Sequence, residues 1–215
     1  MNSLTFNLDA ALSVEQINQG STRATRTKLY QLVCYQQVTL EIVNLNKIQV
    51  IATQETKLKK MAALKIKGYN IFRANRPSRG GGGLAFFIRD VKYQSIDFSQ
   101  DQSSDLEIQG FKIFWRGKPL HIFNVYLSSN QSHLPTNFSN FTDKNTIILG
   151  YLNAKHNIWR SSCNNDRGED ILQMMDDKEF MILNDGSPTH SSFICNTFEA
   201  LDTSITRADI FSQCT

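Results

Sequence analysis

Several features that usually narrow a sequence are absent here. The four cysteines, Cys34, Cys163, Cys195 and Cys214, form no Cys-x-x-Cys pair. Neither a zinc site nor a disulfide framework is expected, and reduced structural thiols are the default. The longest unbroken apolar stretch is Leu84-Ala85-Phe86-Phe87-Ile88, far short of the ~20 residues a membrane helix needs. Met1-Asn2-Ser3-Leu4 opens no basic, apolar leader. The expectation is a soluble, intracellular protein with no signal peptide, no transmembrane segment and no membrane partner. Gly80 to Gly83 are followed by no Gly-Lys-Ser/Thr and by no helix pattern, which argues against a phosphate loop and a small-molecule cofactor. They read as a loop and strand start where a side chain would not fit.

Acid is missing from one region. Between Lys57 and Arg79 stand Lys57, Lys59, Lys60, Lys65, Lys67, Arg73, Arg76 and Arg79 with no Asp or Glu, although the whole chain carries a net charge of only +3. Such a run can be a solvated face that keeps a domain soluble. It can also hold a polyanion, because cations that neutralise phosphates release counterions whatever the base sequence. At 215 residues and 40% hydrophobic the chain suits one core, and one domain over 1–215 is expected.

Periodicity gives an alternation of elements. Leu4, Phe6 and Leu8 alternate like a short strand, and residues 1–15 show no further pattern. Leu29, Leu32, Val33, Val38 and Ile42 approach helical spacing, with Ser21 or Thr22 placed to cap a helix from Thr22 to about Leu45. Strands are predicted at 48–53, 70–73, 83–89, 93–98, 107–115 and 120–127, separated by Gly, Ser, Pro and charged turns. Ile147-Ile148-Leu149 is a further buried strand. Ile171, Leu172, Met175 and Phe180 suit a helix over 168–179 followed by a strand at 180–184. The methionines read as core filler and Trp159 as a packing anchor.

The chemistry gathers at strand ends. Glu55 follows the apolar run Ile48 to Ala52 within Gln54-Glu55-Thr56, and a carboxylate there is costly unless it is paired or holds a cation. Taken alone, Glu55 could simply begin a turn, and Tyr126 could be an ordinary half-buried strand aromatic. In order, however, the chain presents Gln54-Glu55-Thr56, Gly81-Gly82-Gly83-Leu84, Asn124-Val125-Tyr126, Gly150-x-x-Asn153-Ala154, Ser187-Pro188-Thr189 and Leu201-Asp202. This series resembles the exonuclease/endonuclease/phosphatase superfamily, and more narrowly the apurinic-type endonuclease domain of non-LTR retrotransposons, from about Gln16 to the C-terminus.

The resemblance implies a layered α/β sandwich of two packed, mostly antiparallel mixed sheets flanked by helices. It implies that Glu55 holds Mg²⁺ or Mn²⁺, that Tyr126 and Asn153 contact the scissile phosphate, and that Asp202 orients a histidine. It also implies DNA as substrate, with Lys57, Lys59, Arg73, Arg76 and Arg79 as DNA-binding candidates. A reverse transcriptase domain would be the partner if the chain is part of a longer polyprotein, and a working nuclease of this kind would be nuclear.

Three departures qualify that picture. The family's general-base aspartate, one residue after Gly150, is here Tyr151. A phenol with an ordinary pKa near ~10 is neutral at pH 7 and cannot do a carboxylate's work. Near the N-terminus, Ile17-Asn18-Gln19-Gly20 stands where the family has Asn-x-Asn-Gly or Asn-x-Asp-Gly. Asn18 is therefore one residue out of step, and strand side chains alternate faces. The family's Ser-Asp-His strand does not occur before Thr215. His121, His133 and His190 read as loop or surface residues, and His156 belongs to the Asn-Ala-x-His run. Two functions follow as expectations: a metal-dependent DNA nickase with impaired catalysis, or a noncatalytic retrotransposon-derived remnant that binds nucleic acid. A lipid or inositol-phosphate phosphatase is disfavoured by the Asn-Ala-x-His and Pro-Thr-His runs.

Overall fold

Two β-sheets face each other across an apolar layer in the computed structural model, which describes residues 3–7, 13–17, 49–54, 56, 67–74, 83–98, 106–142, 145–183, 190–192, 197–199 and 202–211. The first sheet is antiparallel throughout and runs β2-β1-β3-β5-β4, from β1 (Ser3–Asn7), β2 (Ser13–Ile17), β3 (Val50–Thr53), β4 (Asn70–Ala74) and β5 (Leu84–Ile88). The second runs β10-β13-β9-β8-β7-β6. It is built from β6 (Gln94–Ile96), β7 (Leu106–Trp115), β8 (Lys118–Leu127), β9 (Thr146–Tyr151), β10 (Phe180–Ile182) and β13 (Asp202–Arg207). Its β8–β9 pair is parallel and the others are antiparallel. A separate hairpin joins β11 (His190–Ser192) to β12 (Thr197–Glu199).

The expected layered sandwich is therefore present. The strands read from apolar runs fall where expected, and Leu4 and Phe6 lie in β1. Strand β2 was not anticipated, because Ser13-Val14-Glu15-Gln16-Ile17 offers only two apolar residues. The helix expected over 22–45 lies outside the described residues, as do Asn18 and the Ser187-Pro188-Thr189 turn.

Strand β8 shows why the second sheet lies in the middle. Leu120 and Ile122 enter the layer between the sheets, while Phe123, Val125 and Leu127 face the opposite way. Both faces of the strand are thus covered, which is the pattern of a continuous rather than alternating apolar run. Between the sheets Phe86 meets Phe111 edge to face, with ring centroids 4.7 Å apart, the geometry favoured by the ring quadrupole. The outer face of the second sheet is covered by helix α1 (Asp166–Lys178) through Ile171, Met174 and Met175, and by Trp159. Met181, by contrast, is exposed. A short helix α2 (Ala208–Phe211) adds Ile210 to the layer between the sheets.

Helix α1 begins two residues before the predicted start because Asn165 caps it. The Asn165 side chain accepts from Gly168 N at 2.9 Å and from Lys155 N at 2.8 Å, satisfying one of the orphan amides of the first turn. It also donates to Asn153 O at 3.0 Å. The cap therefore ties the helix to the loop after β9.

Candidate functional site

The close approach of β8 and β9 fixes one end of the second sheet. A Cβ added at Gly150 would stand 2.1 Å from Val125 O, a distance no side chain tolerates, so only glycine fits. The pairing continues one residue further and sets Tyr126 beside Tyr151. Tyr126 is in turn opposite Glu107 of β7, and Tyr151 is opposite Asp202 of β13. Four neighbouring strands thus carry the row Glu107, Tyr126, Tyr151, Asp202. Its face is set by alternation: Tyr151 shares a side of β9 with Leu149 and Ile147, which lie between the sheets.

The two tyrosine rings are stacked, with centroids 5.9 Å apart and planes 16° from parallel. Both are half-buried, while Asp202 is buried. Asn153 follows in the loop with a φ of 51°, in the left-handed region, which asparagine tolerates better than most residues. Its Nδ2 donates to Leu127 O at 2.8 Å, at the end of the strand that carries Tyr126. Beside it opens a cleft of about 330 Å³, bordered by Ser129, Gln131, Asn153, Lys155 and Asp166. The buried Arg167 supports this loop by donating to Leu152 O at 3.0 Å and to Gln131 O.

The first sheet meets the row through polar contacts. Asn124, fully buried, donates from Nδ2 to Thr53 O at 3.1 Å and to Ala85 O at 3.3 Å, and its Oδ1 accepts from Gln54 Nε2 at 2.6 Å. Glu107 Oε2 accepts from Gly83 N at 2.9 Å, and Gly83 O accepts from Thr56 N at 3.1 Å. The residues on both sides of Glu55 in sequence are thus held by this network.

Tyr126, Tyr151, Asn153 and Asp202, singled out from sequence, come together at this one end. Glu55, Lys57, Lys59, Arg76 and Arg79 lie outside the described residues. Arg73 is half-buried in β4 and pairs with Ala85. It shares a side of β4 with Ile71, which packs with the Ile51, Tyr69 and Phe87 cluster, so it faces away from the row. His156 is buried, accepts from Ile158 N at 3.2 Å and lies 3.5 Å from Glu169 Oε1. His133 is exposed in a loop, whereas His121 and His190 fall in strands β8 and β11 rather than in loops. Cys163 is free and exposed, and the other three cysteines lie outside the described residues. Sequence reasoning missed Glu107 and the bridging role of Asn124. Asn124 stood in plain view within Asn124-Val125-Tyr126, whereas nothing local marks Glu107.

Comparison with known proteins bears on the sequence and the fold. The sequence model of the endonuclease–reverse transcriptase family matches residues 120–215. The fold is similar to the endonuclease domain of TRAS1, a telomere-specific non-LTR retrotransposon, with a TM-score of 0.59, 19% identity, and coverage of 79% of this chain and 77% of that one. It is also similar to the AP endonuclease LMAP from Leishmania major, with a TM-score of 0.54, 13% identity, and coverage of 78% and 72%. The family match thus begins at β8 and takes in the rest of the second sheet, and the likeness to these two structures is one of fold. At the sequence level the chain is also 25% identical over 154 residues to "Probable RNA-directed DNA polymerase from transposon BS" of Drosophila melanogaster. That match covers 69% of the chain but spans only 17% of the relative's length.

The donor set at the row is compatible with a hard cation. Among the described residues no group of three or more His, Cys, Asp and Glu side chains is arranged to hold a metal ion. Mg²⁺, however, needs only one or two protein carboxylates beside waters and substrate phosphate. The oxygen ligands at this end of the sheets are of the type it prefers.

Proposed function

We propose that this chain is a metal-dependent DNA endonuclease domain of the non-LTR retrotransposon type, with a hydrolytic step impaired by Tyr151. The observation that carries this reading is the row itself. The residue between Tyr126 and Asp202, where the family's general base would stand, is a phenol stacked on Tyr126.

Glu55 would hold Mg²⁺ or Mn²⁺, and the bound ion would offset charge that builds on the phosphorus. Tyr126 would donate its hydroxyl to a non-bridging phosphate oxygen. Asn153 would donate the second of its two amide hydrogens, since Leu127 O accepts one. Such fixed neutral donors favour an anionic transition state without reorganising. Asp202 is buried beside Tyr151 and would orient a neighbouring donor. Water activation is the missing function, and removal of a general base costs about 10²- to 10⁴-fold. Lys57, Lys59, Arg76 and Arg79 would supply a salt-sensitive hold on the DNA backbone, whereas Arg73, which faces away from the row, would not. A reverse transcriptase elsewhere in the same polyprotein would use the nicked strand.

A second reading, a noncatalytic domain that only binds nucleic acid, is favoured by the same tyrosine stack. Nicking of supercoiled plasmid with Mg²⁺ or Mn²⁺ separates the two. The expected result is little nicking by the native chain, a gain of about 10²-fold or more in Tyr151→Asp, and loss of that gain when Glu55→Ala is added. Efficient nicking by the native chain, abolished by Glu55→Ala, would overturn the impaired-site reading. No nicking by Tyr151→Asp, together with salt-sensitive DNA binding, would support the noncatalytic one.

A further inference from the structure

A phosphodiesterase assembled on two sheets needs those sheets to keep their register, because the proposed metal ligand follows β3 of one sheet and the phosphate donors end β8 and β9 of the other. The apolar layer between them is non-directional and by itself permits sliding. Hydrogen bonds are directional, and a carboxylate accepting a backbone N–H makes one of the stronger kinds. Glu107 makes such a bond. It belongs to the second sheet, yet its Oε2 accepts from Gly83 N of the first at 2.9 Å.

From Gly83 the connection runs directly to Thr56, three residues after β3. Gly83 O accepts from Thr56 N at 3.1 Å. Gly83 has a φ of 94°, and a Cβ there would stand 3.0 Å from Thr56 Oγ1, so both conformation and space call for glycine. Two residues earlier, Gln54 is tied to Asn124 at 2.6 Å. Glu107 also lies opposite Tyr126 in the row. One side chain therefore touches the connection to Thr56 while its strand position registers with the phosphate-binding candidate.

We infer that Glu107 is a positioning residue that, through Gly83, fixes Thr56 after β3 against the Tyr126–Tyr151 row. What Thr56 is positioned for rests on the proposed metal-dependent reading; the positioning itself does not. A substitution series separates reach from charge. Glu107→Gln keeps an oxygen within reach of Gly83 N and loses the charge. Glu107→Asp keeps the charge and is one methylene too short. Glu107→Ala loses both.

The experiment is amide hydrogen exchange by mass spectrometry on peptides covering Thr56 and Gly83, with the β9 peptide as internal reference, alongside Mn²⁺ titration followed by the free-ion resonance signal. Exchange at Thr56 and Gly83 is expected to rise at least ~10-fold in Glu107→Asp and Glu107→Ala, with β9 unchanged and Glu107→Gln close to native. Mn²⁺ affinity is expected to fall in the same order. Unchanged exchange in Glu107→Ala, or a Gln variant as loosened as the Ala variant, would overturn the inference. Exchange that responds as expected in a native chain that binds no Mn²⁺ would uphold the positioning and sink the metal-dependent reading. A variant that loosens β9 equally would show a global rather than a positioning role and would also count against it.

Discussion

Tyr151 illustrates how a single residue can be read in two environments. In sequence it is one tyrosine in place of an acid, while in the fold it stacks on Tyr126 and closes the gap between Tyr126 and Asp202. Tyr69, away from the site, gives a prediction of a different kind. Burial raises its pKa above 10.0; Arg89, whose guanidinium lies 4.9 Å from the ring centroid, lowers it, and Asp90 raises it. Because the folded value exceeds the unfolded one, folding favours the neutral phenol. That contribution is complete below the unfolded pKa and is lost as pH rises through the folded pKa. The stability difference between native and Tyr69→Phe protein, read by urea unfolding, should be constant below about pH 9 and change above about 10, with the native chain losing stability faster. Parallel curves at high pH would refute this.

Among the elements, the β8–β9 pair and helix α1 both depend on glycine at a point of contact. A Cβ at Gly150 would meet Val125 O at 2.1 Å, and one at Gly168 would meet Lys155 O at 1.9 Å. Gly150→Ala must separate the strands that register Tyr126 with Tyr151. A loss of about 2–4 kcal/mol in unfolding free energy is expected, together with weakened plasmid nicking in a Tyr151→Asp background. Asn165→Ala removes a helix cap that also ties down Lys155 and Asn153. It should cost more than the ~1 kcal/mol typical of a lone cap. Thermal unfolding of the two variants tests both statements, and near-native midpoints would contradict the packing described.

For the whole molecule, burial is shared between the layer between the sheets and the cluster on the outer face of the second sheet. Phe86 is fully buried against Phe111, whereas Phe114, at the tip of the β7–β8 hairpin, is 76% exposed. Phe86→Ala should cost about 3–5 kcal/mol, and Phe114→Ala should stay within about 0.5 kcal/mol of native. Chemical denaturation reads the difference directly. Equal effects would mean that Phe86 is not packed in the layer as described.

Much of this fold was legible from local pattern. Leu84 to Ile88 and Ile147 to Leu149 are uninterrupted apolar runs, and Ile171 with Met175 spaces one face of a helix; burial of that kind leaves a period in the sequence. Strand β2 and the β11–β12 hairpin left no comparable trace, because their sequences are mainly polar and pairing rather than patterning defines them. The motif residues Tyr126, Asn153 and Asp202 could be named from their order along the chain. Their alignment with Glu107 could not, since residues so far apart in sequence become neighbours only through the register of four strands. The sequence by itself determined the composition of the site, including the phenol in place of an acid. Tertiary structure alone decided that Glu107 and Asn124 tie the sheets together there, because a hydrogen bond between two sheets exists only after both have folded and packed.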